Sequence, residues 1–103
     1  MVKKYIVLKV QNEIVIYTFD ISHLHSDMYK SITLELVYNK LKDIHLITAG
    51  FIVKDKISFG ESTTLNLKSH PDDYKLLNTR RHIVVPKHFE QIDVPLILKY
   101  ENE

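Results

Sequence analysis

Residues 4–19 read KYIVLKVQNEIVIYTF, and this stretch decides the fold. Two runs rich in valine, isoleucine and tyrosine, residues 4–10 and 13–19, flank the polar pair Gln11-Asn12. β-Branched and aromatic residues favour strands, and two such runs separated by two polar residues are typical of a hairpin. The stretch therefore predicts two antiparallel strands joined by a tight turn.

A helix and a second strand pair are predicted next along the chain. Residues 26–42 contain neither glycine nor proline, and apolar residues cover most of the helical circumference, which predicts a largely buried helix. Residues 45–53 and 56–60 predict two strands that turn at Lys54-Asp55. We expect Gly50 to mark a bulge or a point of close approach within this pair.

A polar loop and a short helix are predicted in the second half of the chain. Residues 61–69 are rich in Ser, Thr and Asn and predict a loop. Ser69 is typical of a helix cap, and Pro71 of a first helical turn. The paired cations Arg80-Arg81 are typical of a helix end, so a second helix is expected between them.

Two last strands are predicted at residues 82–85 and 93–100, where Pro86 and Pro95 restrict them to ends or edges of a sheet. The order of elements predicts an α/β (α+β) fold, a mixed β-sheet of about six strands with two helices packed against it. With 103 residues the chain has the usual size of one domain, so we expect a single domain over residues 1–103.

Composition excludes several classes of protein. The chain has no cysteine, which removes disulfides, thiolate metal sites and a cysteine nucleophile. A formal net charge of +1 is too small for a protein that coats nucleic acid, and no apolar run approaches the ~20 residues that span a bilayer. We expect a cytoplasmic monomer that has neither a membrane nor a nucleic acid as its partner.

His25 stands just before the first predicted helix, where unpaired backbone N–H groups and the helix dipole favour an anion. Neutral imidazole, with an ordinary pKa of about 6.5, can accept a proton from water that attacks a bound phosphoryl group. A histidine in this place is more often a capping or surface residue. Its position at the helix start therefore makes His25 a candidate general base.

His23 and His25 form a His-x-His pair, which on a strand would direct both rings to one side and suit zinc. No carboxylate or third histidine has a motif spacing to this pair. We therefore expect no metal site and no cofactor.

Two further segments carry polar groups suited to phosphate. Ser62, Thr63 and Thr64 present consecutive hydroxyl and amide donors after a strand end. Lys4 opens the first strand and can place an ammonium beside phosphoryl oxygens. Each segment also fits a simpler interpretation, a hydrophilic turn in the first case and a solvated strand edge in the second.

The motifs Lys4-Tyr5-Ile6-Val7-Leu8-Lys9-Val10, Glu13-Ile14-Val15, His25-Ser26-Asp27-Met28-Tyr29 and Gly60-Glu61-Ser62 follow one another along most of the chain. This order resembles the phosphohistidine phosphatase (Janus/Ocnus) family. In that family a lysine opens a strand, the catalytic histidine begins a helix, and a G-x-S loop binds phosphate. The resemblance implies His25 as general base, with Lys4, Ser26 and residues 62–64 around the phosphate.

The resemblance implies a metal-independent hydrolase that removes phosphate from phosphohistidine, and also from phospholysine, in a phosphorylated protein substrate. Thr63 and Thr64 stand where the family tends to have Met and Ala, and the spacing before His25 is one residue longer, which leaves His23 as a rival. These departures keep open a non-catalytic phosphate-binding or protein-interaction module. Nucleic-acid binding ranks last, since it has only the short cluster Arg80, Arg81, His82, Lys87 and His88 behind it.

Overall fold

The computed structural model describes residues 1–87. Its elements are, in chain order, the strands β1 (Val2–Val10) and β2 (Glu13–Phe19), the helix α1 (His25–Tyr38), the strands β3 (Ile44–Val53), β4 (Ile57–Phe59), β5 (Glu61–Ser62) and β6 (Leu67–Lys68), a 3-10 helix (Asp73–Asn78) and the strand β7 (His82–Val84). The strand predicted at residues 93–100 lies outside the described residues, as does His88.

The strands form one sheet in the order β4-β3-β1-β2-β7 and a second, two-stranded sheet of β5 and β6. β1 runs antiparallel to both β2 and β3, and β3 runs antiparallel to β4, whereas β2 and β7 are parallel. The five-stranded sheet is therefore mixed. Together with the two helices it confirms the predicted α+β class.

Both predicted hairpin turns form although neither contains glycine. Gln11 and Asn12 have φ values of 48° and 71°, and Lys54 and Asp55 have φ values of 54° and 55°. Two consecutive residues in the left-handed region give a turn whose twist matches that of the flanking strands. The polar pairs thus adopt a backbone conformation that glycine and asparagine adopt most readily.

The five-stranded sheet is covered on both faces. Residues along β1 alternate between the two faces. On one face Ile6, Leu8 and Val10 pack with α1 in the larger apolar core. On the other face Tyr5 and Val7 form a smaller cluster, against which Leu76 and Leu77 of the 3-10 helix pack. The start of α1 is thereby held over the first face.

The prediction that the first helix is largely buried is wrong. Its buried apolar residues, Met28, Ile32 and Leu36, repeat every fourth position and form one narrow stripe. Leu34 and Val37 are 62% and 57% exposed. A helix that lies on one face of a sheet buries one side only, and its apolar content overstates its burial.

No helix in residues 1–87 is long and apolar enough to cross a membrane.

Two local predictions in the second half of the chain are also corrected. Residues 61–69 are not a plain loop, since β5 and β6 pair within them. Ser69 does not cap the second helix, because Asp72 occupies the N-cap position and no side-chain hydrogen bond caps the helix. The helix is a 3-10 helix that begins at Asp73, whose carboxylate accepts the N–H of His70 at 2.9 Å.

Gly50 marks a close approach rather than a bulge. The register of β1 against β3 shifts between Val7 and Leu8, away from Gly50. A Cβ at residue 50 would lie 2.7 Å from the carbonyl oxygen of Phe59 and 2.7 Å from Cβ of Ser69. Only glycine fits there without moving the neighbouring segments.

Candidate functional site

A row of side chains crosses four strands at one end of the sheet. Lys4 on β1 lies opposite Phe19 on β2 and opposite Phe51 on β3. Phe51 in turn lies opposite Phe59 on β4. Directly opposed residues project to the same face of a sheet, so Lys4 stands between two aromatic rings.

His25, the first residue of α1, packs onto this row and is only 4% exposed. Its ring meets Phe19 at a centroid distance of 5.7 Å and Phe51 at 5.5 Å, with interplanar angles of 80° and 90°. Perpendicular edge contacts between rings are favourable and directional. The imidazole is therefore held on both sides.

The Nε2 atom of His25 lies 2.9 Å from the carbonyl oxygen of Gly50. A carbonyl oxygen only accepts, so Nε2 carries the hydrogen and donates it, and the lone pair of the neutral ring is on Nδ1. Within residues 1–87 no hydrogen bond to Nδ1 is found. Nδ1 is thus the ring atom that can accept a proton.

The pKa of His25 lies below its ordinary value of 6.5. Burial is the largest cause, because it disfavours the charged imidazolium. The hydrogen bond to Gly50 raises the pKa, while the positive charge of Lys4 lowers it. The neutral form, which a general base requires, therefore prevails at pH 7.

Lys4 joins the start of β1 to the segment that leads into α1. Its Nζ donates to the carbonyl of His23 at 2.8 Å. The ring Nε2 of His23 lies 2.9 Å from the carbonyl oxygen of Lys87, far along the chain from Gly50. The two histidines thus bind carbonyls of different segments, and among residues 1–87 no cluster of three or more potential ligands could hold a metal ion.

The hydroxyl-rich turn packs against the first turn of α1. The N–H of Ser26 donates to Oγ1 of Thr64 at 3.1 Å, and Oγ1 of Thr64 lies 3.3 Å from Oγ of Ser62. Ser62 is 1% exposed and also accepts the N–H of Leu65 at 3.1 Å. The Thr64 hydroxyl therefore occupies a place at the helix start that an anion oxygen could take.

The structure brings together five of the six residues that the sequence singled out: Lys4, His25, Ser26, Ser62 and Thr64. Thr63 is exposed on the same turn, and none of the described hydrogen bonds joins it to the others. The arrangement places a neutral imidazole and the ammonium of Lys4 beside the first turn of α1.

Sequence reasoning missed the aromatic rings and the carbonyl that hold the imidazole. A hairpin centred on Gln11-Asn12 necessarily places Lys4 opposite Phe19, so that neighbour was available from the turn. No sequence pattern indicates the contact of His25 with Gly50, because it joins a helix to a strand 25 residues away.

A cavity of about 320 Å³ lies at the same end of the sheet, and Lys3, Phe19, Asp20 and Lys87 are among the residues that line it. His25 is not among its described lining residues. Phe19 lines the cavity and also contacts His25. The cavity is thus a neighbour of the candidate site and not the site itself.

No protein-family model matches the chain, and comparisons with curated proteins and with solved structures find no match either. The function has to be argued from the contacts of the residues themselves.

Proposed function

We propose that this chain is a cytoplasmic, metal-independent protein histidine phosphatase that hydrolyses phosphohistidine, and also phospholysine, in a phosphorylated protein. The observation that supports this most is the hydrogen bond from Nε2 of His25 to Gly50. It leaves the lone pair on Nδ1, at a helix start where donors from two other segments meet.

The proposed reaction is a direct attack of water on phosphorus. As the O–P bond forms, the water proton passes to Nδ1 of His25. The P–N bond breaks, and its electron pair goes to the leaving nitrogen, which takes up a proton from solvent. His25 then releases its own proton to solvent, and inorganic phosphate departs.

Electrostatic stabilisation comes from Lys4 and from the donors around Ser26. The ammonium of Lys4 is close enough to lower the pKa of His25, and it offsets the charge of phosphoryl oxygens. In the proposed complex a phosphoryl oxygen replaces the Thr64 hydroxyl as the acceptor of the Ser26 N–H. Because the P–N bond is labile, positioning and charge stabilisation suffice without a covalent nucleophile.

A non-catalytic phosphate-binding module is the second candidate, and the Thr64 contact is the observation that favours it. The N–H of Ser26 already has an acceptor in Thr64, so a phosphoryl group competes with an internal hydrogen bond. Such competition allows phosphate to bind weakly without being hydrolysed.

A phosphohistidine peptide assayed in EDTA tests the proposal. We expect wild type to release phosphate and His25→Ala to lower kcat/KM by at least about 100-fold, as loss of a general base does. His23→Ala is the matched control, because the bond from Lys4 goes to the backbone carbonyl of His23 and survives the change. Both variants are checked for folding by circular dichroism.

Equal turnover by folded His25→Ala and wild type would remove His25 from the mechanism. Absence of turnover, together with phosphate-dependent shifts of the Ser26 amide in NMR spectra, would favour the binding module.

A further inference from the structure

One side of the His25 ring leads to solvent across two aromatic rings. Phe51, which meets His25 at 5.5 Å, lies against Phe59 at a centroid distance of 5.7 Å with an interplanar angle of 28°. Phe59 is 41% exposed, whereas Phe19 on the opposite side of His25 is 2% exposed. We call Phe51 and Phe59 the aromatic shelf.

The aromatic shelf is formed before any ligand arrives. Phe51 and Phe59 are directly opposed on β3 and β4, which sets their spacing. Gly60 has a φ of +76°, and a Cβ there would lie 3.0 Å from Cδ1 of Phe51. The missing side chain at residue 60 thus leaves the room that the Phe51 ring fills.

The aromatic shelf lies beside the proposed base. A general base, the water it activates and the attacked phosphorus follow one another at about 3 Å each. In the proposed complex the water lies on the Phe51 side of the imidazole, so that the leaving group, just beyond the phosphorus, is directed toward Phe59. On that side Phe59 presents an exposed aromatic ring, whereas Phe19 on the other side of His25 is buried.

We propose that the aromatic shelf selects the leaving group, binding the planar imidazole of phosphohistidine in preference to the aliphatic chain of phospholysine. The inference rests on the proposed phosphatase function and narrows its substrate class. An imidazole stacks on an aromatic ring at the spacing of 4.5–7 Å or so that such pairs prefer. The alkyl chain of phospholysine has no aromatic face to stack.

The experiment compares phosphohistidine and phospholysine at one position of the same peptide. The measured quantity is the ratio of the two kcat/KM values in wild type, Phe59→Leu and Ile57→Ala. Leucine keeps an apolar side chain but removes the ring. Ile57 is the matched control, because it lies on the same strand and face and is 56% exposed.

We expect Phe59→Leu to lower the ratio about three- to ten-fold, the effect of losing one stacked ring, with phospholysine turnover nearly unchanged. Ile57→Ala leaves the ratio at the wild-type value. A general disturbance of His25 through Phe51 would slow both substrates equally and leave the ratio unchanged. The ratio therefore separates selection of the leaving group from support of the imidazole.

Wild-type activity with a ratio that Phe59→Leu does not change would overturn the role of the aromatic shelf and leave the proposed function intact. An equal fall of the ratio in Ile57→Ala would also overturn it. A wild type that hydrolyses neither peptide would overturn the proposed function, and this inference with it.

Discussion

His25 and Gly50 are joined by a hydrogen bond of 2.9 Å that fixes which nitrogen of the imidazole carries the hydrogen. Gly50 can offer its carbonyl there because it has no Cβ to hold β3 away from Phe59 and Ser69. The close packing of β3 at Gly50 therefore also determines which nitrogen of the His25 ring carries the hydrogen.

Gly50→Ala should weaken the hydrogen bond that orients the imidazole of His25. The added Cβ would lie 2.7 Å from the Phe59 carbonyl oxygen, so β3 must shift and carry its carbonyl away from Nε2. We expect a mixture of ring tautomers in ¹⁵N NMR spectra and a loss of kcat of up to about 100-fold, the effect of misplacing a catalytic group by an ångström. An unchanged tautomer and an unchanged kcat in this variant would show that the Gly50 carbonyl does not position His25.

Lys4→Met should raise the pKa of His25. The positive charge of Lys4 lowers that pKa, and removing the charge moves it upward toward 6.5. NMR titration of the ring signals measures the shift. Lys9→Met, further along the same strand, is the control and should leave the pKa in place. A pKa that does not respond to Lys4→Met would place the ammonium too far from the ring for the proposed electrostatic role.

Thr64→Ala should increase the affinity for inorganic phosphate. Wild type must break the hydrogen bond from Ser26 to Thr64 before an anion can use this amide. A neutral hydrogen bond is worth about 1 kcal/mol, so we expect roughly five-fold tighter binding by NMR titration of the Ser26 amide.

Thr63→Ala provides the comparison, because it removes a hydroxyl from the same turn without freeing the Ser26 amide. Tighter phosphate binding in this variant as well would indicate a general change in the turn. Unchanged affinity in Thr64→Ala would show that the Thr64 hydroxyl does not compete with the anion.

Asp73 should matter for stability more than its neighbour Asp72. The carboxylate of buried Asp73 accepts from the hydroxyl of Tyr5 and from the N–H of His70, which ties the 3-10 helix to the second face of the sheet. Asp73→Ala leaves the Tyr5 hydroxyl and the His70 N–H without their acceptor. We expect it to lower the free energy of unfolding by about 2–4 kcal/mol in urea titrations.

Asp72→Ala is the matched control. Asp72 makes an exposed ion pair with Lys75 at 3.3 Å, so its loss should change the free energy of unfolding by less than about 0.5 kcal/mol. Equal urea midpoints for the two variants would contradict the structural role of Asp73.

The elements that were predicted correctly are those that follow from a local pattern of residue types. The first strand pair is visible because β-branched runs stand on either side of two polar residues, and the ends of β2 agree with the prediction. The pairing of β5 with β6 could not be predicted in this way, because two-residue strands carry no periodicity. The exposed side of α1 was missed because Leu34 and Val37 have the composition of buried residues and lie on the face turned away from the sheet.

The candidate site was predicted in its polar residues and missed in its apolar ones. Polar side chains suited to phosphate chemistry can be recognised in the sequence, as for Lys4, His25 and Ser62. The structure brings their segments together. Phe51 carries no such mark, since a phenylalanine in a strand is ordinarily a core residue. Gly50 was expected to mark a close approach, but its hydrogen bond with His25 was not predicted. Their role depends on contacts between a helix and a strand, which sequence spacing does not encode.

The pH dependence of kcat/KM for a phosphohistidine peptide tests most directly whether His25 is the base. The neutral ring is the active form, so the rate should fall as the pH drops through the lowered pKa of His25. We expect the midpoint of this acid limb to lie below pH 6.5, to equal the pKa of His25 measured by NMR, and to rise with that pKa in Lys4→Met. An acid limb that stays in place while the pKa of His25 moves would contradict the account.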